Sequence, residues 1–564
     1  MLDLNRKPLT LSIGWIKLTR HLFLILILLA VGGQGWGAGP YYVSTTGDDA
    51  AAGTSTGTAW AHHPWDTAAT GVSDATVLAS GDVVYYMDGS YANIRLTAAT
   101  SGSSGSAMIT TTSLNGAASV TLTGNGTNTV FLASSKNYNA LTNLTINGNA
   151  IGGYVVQFST STGSKITGCI LSNLTGNNAA IEMDGCTTFL ADNNTISNSD
   201  TASADGIYSF LNVSGIAISN NTITDCDDGI KIRGVGVTAT NNNISSCVNG
   251  YDLATTALDS TDSITGGTIK DNIGSGILGQ IAMTGVVISG VTFLNNGAAG
   301  SNADISISAV AASLEIKNCL FQGNSYLGFT TSSTLGGSFH DNIMYGTDDV
   351  NFIQIIGANA GAPWLIYNNT LDFNTSLAGG HAIVVQTNGR EATIANNIII
   401  NRHASMSGGI IAIANAYNVI KYDYNHIYNL EGTNTTWLWT IGANHYTYLV
   451  GAGGFQTSTD GKVTGLDGTG SPGLHDIVET INPNVVNSTT HNYHLLSSSP
   501  CIDAGTDLGD GSTYLDPDSL NPDSWGSGWE IGAYQYAGPS ASENGVLRGT
   551  LKTWNGINMG YIKN

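Results

Sequence analysis

Four short segments of this chain carry most of what its side chains offer to chemistry. Ala180-Ile-Glu-Met183, Gly206-Ile-Tyr-Ser209, Gly229-Ile-Lys-Ile232 and Gly250-Tyr-Asp-Leu253 align so that Glu182, Tyr208, Lys231 and Asp252 hold corresponding positions. Arg233 follows Lys231 at the two-residue spacing that puts strand neighbours on one face. Asp205, Asp228 and Asn249 correspond at the preceding turn, with Asp225 and Asp227 close in sequence. Such a group can move a proton, neutralise an anion and offer oxygen ligands to a hard cation. Lys231, Arg233, Tyr208 and Glu182 are therefore the candidate catalytic residues, and Asp205, Asp227, Asp228 and Asp252 the candidate ligands for Ca²⁺. The same charges on adjacent strands would stabilise an ordinary sheet by ~0.2–1 kcal/mol per pair without doing any chemistry. A lysine is almost wholly protonated at neutral pH, so Lys231 acts as a base only if Arg233 outweighs Asp252, which requires a cation or ligand on that carboxylate. On an outward face its replacement by Ala is expected to shift stability by about 0.5 kcal/mol or less.

A repeat positions these residues. Asn143-Leu-Thr-Ile146, Asn193-Asn-Thr-Ile196, Asn220-Asn-Thr-Ile223, Asn241-Asn-Asn-Ile244, Asn318-Cys-Leu-Phe321, Asp341-Asn-Ile-Met344, Asn368-Asn-Thr-Leu371 and Asn396-Asn-Ile-Ile399 each put a polar turn residue three places before an apolar anchor. Degenerate copies at Leu171, Ile269, Phe293 and Ile427 complete the series. One repeat per turn of a coil sets each anchor above its predecessor and forms parallel sheets with strands ~4.8 Å apart. Asn bonds to backbone and tolerates left-handed dihedrals, so the Asn pairs read as a structural ladder rather than a catalytic set. Cys226 and Cys247, each three residues after an anchor, should then be neighbours on adjacent turns.

Composition agrees with a β coil. Charged residues make up 10%, Gly 72 of 564 and apolar residues 41%, a mixture poor for helices but sufficient for a core. The net charge of −22, with only 18 Lys and Arg, argues against nucleic acid as a partner.

Taken together, the repeat, the opening Tyr41-Tyr-Val-Ser-Thr-Thr-Gly-Asp48, Ser80-Gly-Asp-Val-Val-Tyr-Tyr-Met-Asp-Gly-Ser-Tyr91 and the late Ser499-Pro-Cys-Ile-Asp-Ala-Gly505 resemble the right-handed parallel β-helix family of pectate-lyase-like proteins. The resemblance implies an all-β solenoid with N-terminal and C-terminal caps. It also implies an extracellular polysaccharide as partner, approached by lyase or hydrolase chemistry on an exposed sheet. For uronate elimination the cluster would supply a base, cations for the carboxylate and ligands for Ca²⁺. The alternative is a non-catalytic adhesin or envelope β-helix. Departures limit the match to named subfamilies: Asp227-Asp228 is similar to the paired carboxylates of polygalacturonases, but no Gly-His-Gly accompanies them, and the Asp-Pro-His of alginate epimerases is absent. One fold hosts many functions, so these motifs speak mainly for architecture.

The expected division is a signal peptide over 1–38, an N-terminal strand and cap over 39–92, coil repeats over 93–450, a C-terminal cap region over 451–537 and a tail over 538–564. Lys17 and Arg20 before the apolar run Leu22 to Val31 imply export. Ten apolar residues are too few to span a bilayer, so no stable membrane span is expected after cleavage, and the mature chain should be a secreted or surface monomer. Asp516, Asp518 and Asp523, with Trp525 and Trp529, form an acidic, Pro-containing loop that offers a further Ca²⁺ or sugar contact.

Overall fold

Alternating apolar residues and tight polar turns wind this chain into a parallel coil. The computed structural model describes residues 39–534 except 177, 198–203, 255–257, 298–301, 309–310, 324–326, 333–335, 347–350, 357–362, 374–379, 387–390, 403–408, 414–418, 431–438, 442–443, 447–454, 458–462, 467–469, 478–479 and 509–528. The proposed leader, the tail and the Asp516, Asp518, Asp523 and Trp525 loop lie outside the described residues. Successive strands visit three sheets in rotation, and each pairs in parallel with the strand one turn earlier. Sheet I holds 16 strands, sheet II 15 and sheet III 14. Helix among the described residues is limited to one α-helical segment, Gly71–Ala75, and short 3-10 turns.

The twelve anchors form one column in sheet III. Ile146 pairs with Leu171, Leu171 with Ile196, Ile196 with Ile223, and Ile223 with Ile244. The column continues through Ile269, Phe293, Phe321 and Met344 to Leu371, Ile399 and Ile427 without a slip. Sheet III also runs two turns further back, through Leu122 to Tyr91, where no Asn turn marks the repeat. Inward residues of all three sheets merge into one continuous apolar core.

The turn before each anchor explains the Asn pairs. Its first residue is left-handed in every repeat from Asn143 (φ 51°) to Asn396 (φ 55°), and is always Asn, Asp or Gly over that span. These are the residue types that adopt this region at least cost. Its second residue points inward, where Asn194 Nδ2 donates to Asn221 Oδ1 at 2.9 Å and Asn221 Nδ2 to Asn242 Oδ1 at 2.9 Å. Asn342, Asn369, Asn397 and Asn425 repeat the chain of bonds. Each link satisfies buried amide groups, a net gain of about 1 kcal/mol per bond. Cys226 and Cys247 occupy equivalent buried places in the following turn, as the repeat requires, and both are thiols.

Beyond the coil, the chain folds back onto its side. A hairpin of Val485–Asn487 and Asn492–Leu495, with Cys501 and Ile531, packs against the outward Ile343, Ile398 and Ile400 of sheet III. Tyr493 Oη donates to Asp372 Oδ2 at 2.8 Å, fixing the hairpin to the wall. At the last turns of sheet II, Trp439–Ile441 pairs antiparallel with Asn444–Tyr446.

Candidate functional site

Five consecutive strands of sheet II build the site: β1 (Val156–Ser159), β2 (Ala179–Asp184), β3 (Asp205–Ser209), β4 (Asp228–Ile232) and β5 (Asn249–Leu253). Their registers set Gln157, Glu182, Tyr208, Lys231 and Asp252 in one outward column. Strands β3 to β5 open on Asp-Gly, Asp-Gly and Asn-Gly. The glycine is demanded by packing, since a Cβ on Gly229 would lie 2.3 Å from Ile244 Cγ2. The acidic residue before it belongs to a side-chain ladder: Asp228 N–H donates to Asp205 Oδ1 at 3.3 Å, Asn249 Nδ2 to Asp228 Oδ1 at 3.0 Å, and Ser275 N–H to Asn249 Oδ1 at 3.1 Å. Asn249 shows that a neutral amide performs the structural task. Asp205 and Asp228 therefore add buried charge that the ladder itself does not need.

Lys231 meets that charge. Its Nζ lies 2.6 Å from Asp228 Oδ2, 3.4 Å from Asp205 Oδ2 and 3.7 Å from Asp252 Oδ2. The sequence put this lysine on a solvated face, but its side chain is only 15% exposed, and Glu182, Tyr208, Asp205, Asp228 and Asp252 are buried. Aromatic cover is the reason. The Tyr208 ring stands edge-on to Phe210 at 5.1 Å, with the Arg233 guanidinium 5.3 Å over it and Lys231 Nζ 6.0 Å from its centre. Expected near-neutrality of Lys231→Ala fails with this burial, because removing one partner of a buried ion cluster leaves uncompensated charge.

The electrostatics divide the group by role. Burial opposes the charge on Lys231, but Asp205, Asp228 and Asp252 outweigh it and raise the ammonium pKa above its ordinary value. Lys231 is thus a fixed cation. Burial first, and Asp228 second, push the Asp205 carboxyl up to about 7 despite Lys231. The same two causes push Asp252 up to about 6, against Lys231 and Arg233. Too many carboxylates share one ammonium, so the last to ionise does so near neutrality. Among the described residues, Asp252 Oδ1 and Arg233 Nε find no hydrogen-bond partner although buried.

Glu182 is held differently. Gln157 Nε2 donates to its Oε2 at 2.5 Å, and Tyr154 bonds it as well. Burial raises its pKa while these two bonds lower it, with a net rise. Tyr208, raised to about 12 chiefly by burial, stays a neutral phenol. Gln157 was legible by carrying the column back one turn. Tyr154 precedes its strand and left no periodic signal.

Asp205, Asp227 and Asp228 offer oxygen atoms within 4.8 Å of one another, with Asp252 outside that trio. The donor set suits Ca²⁺, which takes carboxylate oxygens. Lys231 Nζ stands in hydrogen-bond contact with Asp228, however, so the ion and the ammonium are alternatives, and Ca²⁺ would bind only as Lys231 turned away.

A family model described as right handed beta helix region matches residues 159–308, the stretch containing Glu182, Tyr208, Lys231 and Asp252 of the column. The chain is a right-handed parallel β-helix. Among solved structures, this β-helix is similar to the mannuronan C-5 epimerase AlgE4 A-module of Azotobacter vinelandii, at 14% identity and a TM-score of 0.42, over 56% of this chain and 91% of that one. It is also similar to pectate lyase Pel9A (14%, 0.34, 88% and 96%) and to a GH136 lacto-N-biosidase from Eubacterium ramulus (12%, 0.39, 62% and 71%). No curated protein sequence matches the chain.

Proposed function

We propose that the column on sheet II cleaves an extracellular polysaccharide by carboxyl acid–base chemistry, as a glycoside hydrolase. The observation that carries this reading is the placement of Asp205 and Asp228 in a ladder position that Asn249 fills without charge. A buried acid at a ladder place where an amide also serves, its carboxyl pushed up to about 7, is suited to proton donation at working pH. Glycoside hydrolysis needs two carboxyl groups in opposite protonation states. Asp205, its carboxyl pushed up to about 7, gives its proton to the glycosidic oxygen as the C–O bond breaks; Asp228, bonded to Lys231 at 2.6 Å, faces the positive charge that develops, and a water then adds to the anomeric carbon and returns a proton to Asp205. Tyr208 and Arg233 form a flat wall against which a sugar ring rests.

Elimination with Lys231 as base is disfavoured, since the three carboxylates around it hold its proton. Lys17 and Arg20 before the apolar run Leu22 to Val31 support a site of action outside the cytoplasm. The test incubates the full chain with a polysaccharide panel, with and without Ca²⁺, following reducing and unsaturated ends separately. Reducing ends alone, independent of Ca²⁺, are expected. Unsaturated ends would instead mark a lyase, and binding without product would mark the non-catalytic alternative.

A further inference from the structure

A second site is marked by the turn before the last anchor, Ile427, which departs from the turn rule of the eleven anchors before it. Three residues before the anchor, every turn from Asn143 to Asn396 carries Asn, Asp or Gly at positive φ. Before Ile427 the same place is held by Tyr424, at φ 58°. A bulky residue pays in strain for this conformation, and such outliers persist where the side chain is wanted for something else.

Tyr424 borders a cavity of about 570 Å³ between the outward face of sheet I and the chain that follows the coil. Leu365, Lys421, Asp423, Leu474 and His475 line it as well. That volume lies within the range of small-ligand pockets. The cavity stands on a different sheet from Lys231 and seven turns further along, roughly 34 Å at strand spacing.

Its floor is prearranged. The Tyr424 ring stacks on His475 with centroids 4.5 Å apart and planes 12° from parallel. His475 is fixed in turn by Asp423, whose Oδ2 lies 2.8 Å from Nδ1 and whose Oδ1 accepts the His475 N–H at 2.7 Å. Asp423 Oδ1 also accepts the Tyr424 N–H at 3.0 Å, which steadies the strained residue. Leu474, 61% exposed, adds apolar surface beside this floor. A flat aromatic and aliphatic surface next to a carboxylate and an ammonium suits a ring with an apolar face and hydroxyl edges. Lys421 stands against two carboxylates of the lining, Asp423 and Asp507, so the acidic surplus repels a uronate and a neutral ring is favoured.

We infer that this cleft is a saccharide-binding subsite for a neutral sugar ring, built on Tyr424 and separate from the column on sheet II. The choice of a sugar as ligand rests on the function proposed above; the location does not.

The test titrates neutral di- to tetrasaccharides of glucose, galactose, mannose and N-acetylglucosamine into the full chain by calorimetry. Tyr424→Asn restores the residue that other turns carry, so its melting temperature should equal or exceed the parent's while affinity falls at least tenfold. Tyr424→Phe keeps the ring and should retain binding, and Asp205→Asn should leave it unchanged. Parent affinity in Tyr424→Asn would overturn the inference, as would the absence of any neutral saccharide binding. Binding lost in Asp205→Asn and kept in Tyr424→Asn would overturn the subsite alone. The reverse pattern, with no polysaccharide cleaved, would overturn the hydrolase reading and leave the subsite.

Discussion

Two buried ion clusters on this coil resolve the same problem in opposite ways. On sheet I, His340 lies between acids: Nδ1 is 2.7 Å from Asp341 Oδ2 and Nε2 is 3.1 Å from Glu315 Oε1, which also meets Lys317 at 2.9 Å. Its ring stacks on Tyr367 at 4.6 Å, 4° from parallel. Burial opposes its charge, but Asp341 and Glu315 prevail and raise its pKa to about 9. The His340 hydrogen bond is the main force holding Glu315 down to about 2. On sheet II the acids outnumber the cation they share, and two of them are pushed up to about 7 and about 6. Matched charge makes a brace. Surplus charge makes groups that exchange protons near neutral pH, at a cost to stability.

The comparison can be broken first at the brace. His340→Ala leaves Asp341 and Glu315 without their central cation, and we expect a loss of about 3–5 kcal/mol at pH 7, read by chemical unfolding. A loss under 1 kcal/mol would mean the cluster is not a brace. Lys231→Ala should cost less, about 1–3 kcal/mol at pH 8, because Asp205 and Asp252 can relieve the lost charge by taking up protons. Adding Asp228→Asn should recover part of that loss. If Lys231→Ala were as damaging at pH 5 as at pH 8, surplus charge would not be the cause.

The pH dependence sharpens the contrast. Asp205 and Asp252 titrate higher folded than unfolded, so their contribution is full below about pH 4 and is lost as pH rises through about 6 to 7. His340 is also raised, so its contribution is full below about pH 6.5 and is lost as pH rises through about 9. Thermal unfolding of Asp205→Asn against the parent should therefore diverge between pH 4 and 7, by roughly 1–2 kcal/mol in the variant's favour at the upper end. Parallel curves for the two proteins would contradict the raised carboxyl.

The repeat was legible because one backbone constraint recurs. A left-handed residue three places before each anchor selects Asn, Asp or Gly, and that preference survives where the strands vary. The order of the outward column followed from the same register. Its burial did not, because cover by Phe210 and the Tyr208–Arg233 contact depends on side-chain directions rather than period. The His340 brace escaped notice for a related reason: Glu315 and His340 are 25 residues apart, on strands where neither disturbs the apolar alternation. The anchors Leu122 and Tyr91 were not picked out, since they lack the Asn signature, although Leu122 falls within the coil expected over 93–450.

The central claim is that Asp205 is a proton donor and not merely a rung of a ladder. Reducing-end release from a cleaved polysaccharide, measured from pH 4 to 9 for the parent and Asp205→Asn, tests it most directly. Asn fills the equivalent rung at 249, so the variant should fold and lose at least 10²-fold in rate, the scale of general acid catalysis, while the parent's rate falls away above about pH 7. An Asp205→Asn protein that cleaves at the parent rate, with the same pH profile, would contradict the account.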